Sequence, residues 1–98
     1  LDEVMTAFYR TGSRMAFHGE QCDPDVICIA KGLTAGYMPL AATLVNESLV
    51  RPFIGGPEKT FYHGHSYSGN QLGCAAALEN LEILTETKFA KNLETKIV

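Results

Sequence analysis

The chain has 98 residues, enough for one small domain, and 46% of them are apolar, the composition of an ordinary globular protein. A net charge of −3 without a basic run argues against nucleic acid as the main partner. No apolar run approaches the ~20 residues that span a bilayer, so no membrane partner is expected. Cys22, Cys28 and Cys74 are odd in number and set in apolar or mixed surroundings, which reads as reduced thiols in a cytoplasmic protein. The chain opens at Leu1 with no charged-then-apolar leader and stops at Val98 inside a helical pattern, as expected of a segment of a larger protein.

In chain order, Leu1-Asp2-Glu3-Val4 reads as the end of a strand. Asp2 and Val4 are two apart and so share a face there, looking either into a site or into solvent. Thr6 to Gly12 is a polar and aromatic loop in which Arg10 either recognises an anionic group or is solvated. Met15 to Asp23 has no clean period. His18 and Cys22 stand four apart, but two ligands do not make a zinc site.

Pro24 introduces Val26-Ile27-Cys28-Ile29-Ala30, a short apolar run that reads as a strand buried on both faces. Lys31 emerges at its carboxyl end, where open α/β sheets place their ligands. Either the amine simply reaches solvent, or apolar neighbours desolvate it and leave the free amine that attacks carbonyls. Gly32 to Pro39 is a loop whose two glycines and proline let backbone approach a ligand.

Ala41 to Val45 reads as a second strand. Asn46 is placed to cap a short helix through Phe53, which Gly55-Gly56-Pro57 ends. Phe61 to Asn70 is dense in hydroxyls, imidazoles and glycines, unusual for a loop that only connects. His63 and His65, either side of Gly64, are metal ligands or a hydrogen-bonded loop pair; a third ligand at usable spacing is not apparent, and no metal is expected. Asn70 caps a helix from Gln71 to Leu84 with apolar positions Cys74, Ala77, Leu78, Leu81 and Leu84, and Gly73 and the alanines predict tight packing. Phe89, Leu93 and Ile97 predict one more amphipathic helix.

Asp2-Glu3-Val4 followed by Arg10-Thr11-Gly12, then Lys31-Gly32-Leu33-Thr34, then His63-Gly64-His65-Ser66-Tyr67-Ser68-Gly69-Asn70, resembles the class III aminotransferases. The resemblance runs from Leu1 to about Leu84. It implies the α/β fold of fold type I pyridoxal-phosphate enzymes, a mostly parallel sheet flanked by helices. Residues 1–84 would belong to the cofactor-binding large domain and 85–98 would lead toward a small domain. Lys31 matches the lysine that binds the cofactor, pyridoxal 5′-phosphate, and shuttles the proton. Asp2 matches the carboxylate that pairs with the pyridine nitrogen, and Val4 would pack on the ring. Ser66 matches a phosphate-binding residue supplied across a homodimer, with His65 beside it. Gly64 and Arg10 match positions near substrate, Arg10 being placed to hold a carboxylate.

Within the class, the loop from His63 to Asn70 favours an enzyme of biotin synthesis. Its small-molecule substrates would be 8-amino-7-oxononanoate, aminated to 7,8-diaminononanoate, and S-adenosylmethionine or lysine as donor. Its rivals are aminotransferases of ornithine, 4-aminobutyrate or diamines, and a non-catalytic relative that keeps the fold. One departure concerns substrate choice: the family loop reads Gly-Phe-Gly-Arg-Thr-Gly, and here Ala7 and Tyr9 stand at its first two glycines. The isolated segment is expected to be inactive and unstable, because a sheet lacking strands exposes its edges.

Overall fold

The computed structural model describes residues 1–96. Two strands form the one ladder among them, β1 (Val26–Ile29) and β2 (Ala42–Val45). They pair antiparallel, with Val26 opposite Val45 and Ile29 opposite Ala42. On its other edge β1 meets the first residues in parallel: Glu3 N–H donates to Cys28 O at 2.8 Å, and Cys28 N–H to Leu1 O at 2.9 Å. The sheet was expected to be mostly parallel; inside this segment the parallel pairing is confined to Asp2 and Cys28, and the longer ladder runs antiparallel. The physical reason is the connection. The link from β1 to β2 is a 3₁₀ turn and a loop, and reversing direction needs no more, whereas a parallel neighbour needs a long crossover.

Among the described residues three α-helices follow: α1 (Glu47–Val50), α2 (Gln71–Thr85) and α3 (Thr87–Glu94). Both expected caps are made. Asn46 Oδ1 accepts from Leu49 N–H at 3.1 Å and Asn70 Oδ1 from Gly73 N–H at 2.9 Å. Each satisfies a first-turn amide that the helix itself cannot, worth about 1 kcal/mol. After α1 the chain tightens into a 3₁₀ turn at Arg51–Phe53, where Pro52 carries no N–H to extend the helix. Phe89 and Leu93 are half-buried on α3, and the expectation for Ile97 lies outside the described residues.

The core is small. Ala7, Ile29, Leu33 and Ala77 are buried together, with Phe8, Met15, Ile27, Leu40 and Ala42 packed around them. It joins the end of β1, the turn after it and the middle of α2. Gly73 lets α2 approach Leu40, whose Cδ1 lies 3.4 Å from where a Cβ would stand. Of the apolar stripe expected on α2, Ala77 and Leu84 are buried and Cys74 half-buried, whereas Leu78 and Leu81 face outward. The helix is apolar around much of its circumference, and the described residues cover one side. For the same reason β1 is not buried on both faces: Ile29 is buried, while Val26, Ile27 and Cys28 are half-buried.

One buried carboxylate holds the first loop to this core. Glu3 is 3% exposed and accepts from Phe17 N–H at 2.9 Å, from Ala16 N–H at 3.2 Å and from the Thr6 hydroxyl. Burial by itself raises its pKa; the three hydrogen bonds and the charge of His18 outweigh that and hold it below the ordinary carboxylate value of 4.5. A depressed pKa stabilises the fold above the unfolded-state value, and the contribution is lost as pH falls through the folded value. Acid titration of thermal stability should therefore show a decline below about pH 4.5 that Glu3→Gln removes, at a cost near neutrality of about 2 kcal/mol.

Candidate active site around Lys31

Lys31 leaves β1 through a left-handed turn. Its φ is +41°, in a region that costs a residue with a Cβ about 1 kcal/mol or more, and Ala35 at +52° closes the turn. Lys31–Thr34 between them forms a single 3₁₀ turn, with Leu33 N–H bonded to Ala30 O at 2.9 Å and Ala35 N–H to Gly32 O at 3.2 Å. Several groups pin it. Leu33 and Thr34 are buried, and Thr34 Oγ1 donates to Met38 O at 2.5 Å. Phe8 lies directly on Gly32: a Cβ there would stand 2.9 Å from Phe8 Cδ2 and 3.0 Å from its Cβ. Asn80 of α2 donates to Gly32 O at 2.7 Å and to Leu33 O at 3.0 Å.

The Lys31 side chain is exposed, with its Nζ against Met5 Sδ. The apolar cover expected to desolvate the amine is not supplied by the described residues. A sequence run shows that the preceding strand is apolar, but not what packs over the residue that follows it.

An open cavity of about 920 Å³ begins at Lys31. Ala30, Lys31, Met38 and Leu40 line it, together with His65, Tyr67, Ser68 and Asn70 of a later loop. The loop is shaped by its own polar groups: Ser68 N–H donates to His65 O at 3.0 Å, His65 N–H to Ser68 Oγ at 3.1 Å, and Tyr67 N–H to His65 Nδ1 at 3.1 Å. Of the residues singled out in the sequence, the structure thus brings Lys31 and His65 to one cavity. Ser66 and Gly64 belong to the same exposed loop but do not line it; Ser68 does.

Asp2 sits on the parallel neighbour of β1, and the chain from Asp2 to Met5 runs toward Lys31. Strand alternation does not reach Val4. Its N–H turns back to Asp2 Oδ1 at 2.9 Å, because a short carboxylate readily captures the amide two residues on and ends the strand. Val4 is half-buried at the start of a turn, so it does not share a strand face with Asp2. Arg10 is exposed at the tip of the loop that Phe8 N–H closes on Arg14 O at 2.7 Å, away from the cavity lining. Phe8 and Tyr9 in that loop have φ of +61° and +67°, so Tyr9 holds a left-handed conformation where the related motif has glycine. Its ring rests on Phe89 of α3, centroids 5.2 Å apart.

The donor set suits an aldehyde-bearing phosphate such as pyridoxal phosphate. Lys31 offers a primary amine at the cavity, and residues bearing hydroxyl, imidazole and amide groups line it as well. Sequence reasoning missed Glu3, Ser68 and Asn80. The signal for Asn80 was present: Gly73, Ala77, Asn80 and Leu84 follow a four-three-four spacing, which puts the amide on the buried face of α2.

The sequence profile of the family described as aminotransferase class-III matches residues 1–97, and the chain belongs to that family. Its α/β fold is that of the fold type I pyridoxal-phosphate transferases. Among individual proteins it is similar to adenosylmethionine-8-amino-7-oxononanoate aminotransferases. That of Anoxybacillus flavithermus is 49% identical, over 98% of this chain and 22% of the relative. That of Aquifex aeolicus is 46% identical, over 99% of this chain and 22% of the relative. The crystal structure of the Methanocaldococcus jannaschii enzyme of that name matches with a TM-score of 0.89 at 44% identity, over 97% of this chain and 23% of that one. The chain therefore spans about a fifth of the length of the curated relatives it matches.

The contact between Gly32 and Phe8 gives a direct test of how the turn is held. Gly32→Ala should destabilise the protein by about 1 to 3 kcal/mol through overpacking. Combining it with Phe8→Ala should cost less than the two single changes added together, a coupling that a double-mutant cycle in urea would measure.

Proposed function

We propose that the chain is part of the cofactor-binding large domain of an aminotransferase that converts 8-amino-7-oxononanoate to 7,8-diaminononanoate in biotin synthesis. The observation that carries the chemistry is the Lys31 amine, held by a strained, pinned turn at a cavity that the His65–Asn70 loop also lines. The substrates are supported by the names of the relatives and by the extent of the likeness, which runs through both the lysine turn and that loop. Residues 1–84 are assigned to the large domain, and residues 85–98 to the stretch leading to a small domain. The whole protein would work as a cytoplasmic homodimer, with S-adenosylmethionine or lysine as the amino donor.

In this reading pyridoxal 5′-phosphate, when bound, supplies the electron sink that stabilises a carbanion next to nitrogen. Lys31 Nζ would hold the cofactor covalently between turnovers and, once freed, move the proton between cofactor and substrate carbons. Asp2 would keep the cofactor's ring nitrogen protonated through a carboxylate pair, and Val4 would pack against the ring. His65 and Ser66 would serve the phosphate across the dimer, Gly64 would lie close to substrate, and Arg10 would meet a carboxylate at the mouth.

The test uses the purified full-length protein loaded with pyridoxal phosphate. S-adenosylmethionine, lysine, ornithine and 4-aminobutyrate are added separately while the visible absorption of the bound cofactor is followed. Bleaching by S-adenosylmethionine or lysine, reversed by 8-amino-7-oxononanoate, is the expected result. Bleaching by ornithine or 4-aminobutyrate alone would reassign the substrate and keep the chemistry. Lys31→Ala should lower turnover by at least about 10³-fold; a variant with unchanged turnover and absorption would overturn the role of Lys31.

A further inference from the structure

We infer that Asn80 is a positioning residue for Lys31: its side-chain amide ties α2 to the turn after the lysine and so fixes the direction in which the amine leaves the sheet. This rests on the role given to Lys31 above. Three observations carry it.

The first is that the turn stores strain. A lysine at a φ of +41° relaxes toward negative φ unless its surroundings prevent it, and doing so would swing the side chain off its present course. The second is the geometry of the restraint. Gly32 and Leu33 immediately follow Lys31, and both of their carbonyls accept from Asn80 Nδ2, at 2.7 and 3.0 Å. Both partners are acceptors, so the atom between them must be the NH₂ group; no flipped amide would satisfy the pair. Gly32 O also accepts from Ala35 N–H, so Asn80 braces the bond that closes the turn. The third is that the restraint has a counterpart. The Phe8 side chain packs on Gly32, where an added Cβ would stand 2.9 Å from its Cδ2, so the residue after Lys31 is held by packing as well as by hydrogen bonds.

Asn80 itself does not line the cavity that begins at Lys31. It touches backbone, acting on the amine through two peptide groups. Holding a reacting group in place in this way is a large lever, since a displacement of about 1 Å can cost on the order of a hundredfold in rate.

The test is made on the full-length protein loaded with pyridoxal phosphate, comparing Asn80→Asp, Asn80→Gln and Asn80→Ala. Asn80→Asp keeps the shape and removes the donors, while Asn80→Gln keeps the donors on a longer stem. For Asn80→Asp and Asn80→Ala the expected results are a retained visible cofactor band, a displaced pH midpoint of that band, and a kcat lowered about tenfold with little change in KM. Asn80→Gln should keep more of the rate than Asn80→Asp. If Asn80→Ala does not fold, the Asp and Gln pair still decides. Variants that lose thermal stability while keeping the parent's pH midpoint and kcat would reduce Asn80 to a purely structural contact and overturn the proposal. Failure of the underlying reading looks different: the parent itself would show no visible band, or Lys31→Ala would keep it.

Discussion

Strand β1 is hydrogen-bonded along both edges, and everything else in the segment takes its place from that. On one side lies the antiparallel ladder with β2, on the other the pair of bonds that Cys28 makes with Leu1 and Glu3. The parallel pairing matters most for the site. Two strands running the same way deliver their ends to the same edge, so the residues after Asp2 and the residue after β1 arrive together, and Met5 meets Lys31 there. The amide and carbonyl groups of β1 are occupied on both sides, so sliding it by one residue would break both sets of bonds and reverse the face of every side chain.

The packing around this strand is modest, and polar groups do much of the holding. Buried leucine and isoleucine side chains such as Leu33 and Ile29 contribute about 2 kcal/mol each. Glu3 gathers the loop between Thr6 and Phe17 onto the first strand, Thr34 closes the lysine turn on Met38, and Asn80 joins that turn to α2. In each case a side chain satisfies backbone groups that regular structure leaves over. Leaving one of those groups buried and unpaired would cost about 1 to 3 kcal/mol, comparable with a buried side chain.

Local chemistry was legible in the sequence, and its surroundings were not. The caps at Asn46 and Asn70, the strands at Val26 and Ala42 and the helix from Gln71 followed from residue types and spacing, because a cap or an apolar period acts over a few neighbours. The order of Asp2, Lys31 and the His63–Asn70 loop was enough to point to the family that residues 1–97 match. Strand direction was not encoded, since an apolar run reads the same in either sense. Nor was cover: Lys31 follows an apolar strand, yet what packs above it depends on elements far away in the chain. Glu3 and Asn80 escaped for a related reason. A buried polar side chain resembles a solvated one until its partners are known, and those of Asn80 lie on a turn nearly half the chain away.

The crowding at the carboxyl ends of the strands has a converse at their other end. Before β1 the chain passes through Glu20, Gln21, Cys22 and Asp23, all exposed, held by short-range bonds from Glu20 N–H to Phe17 O and from Cys22 N–H to Glu20 O. Among the described residues no hydrogen bond joins this stretch to the lysine turn or to the His65–Asn70 loop. Such a bend is where a chain accepts extra residues with least disturbance, because lengthening an exposed loop costs only a small closure entropy. An epitope or a reporter inserted between Gln21 and Cys22 would follow the fold of the protein from an exposed bend that contributes nothing to the lining of the cavity at Lys31.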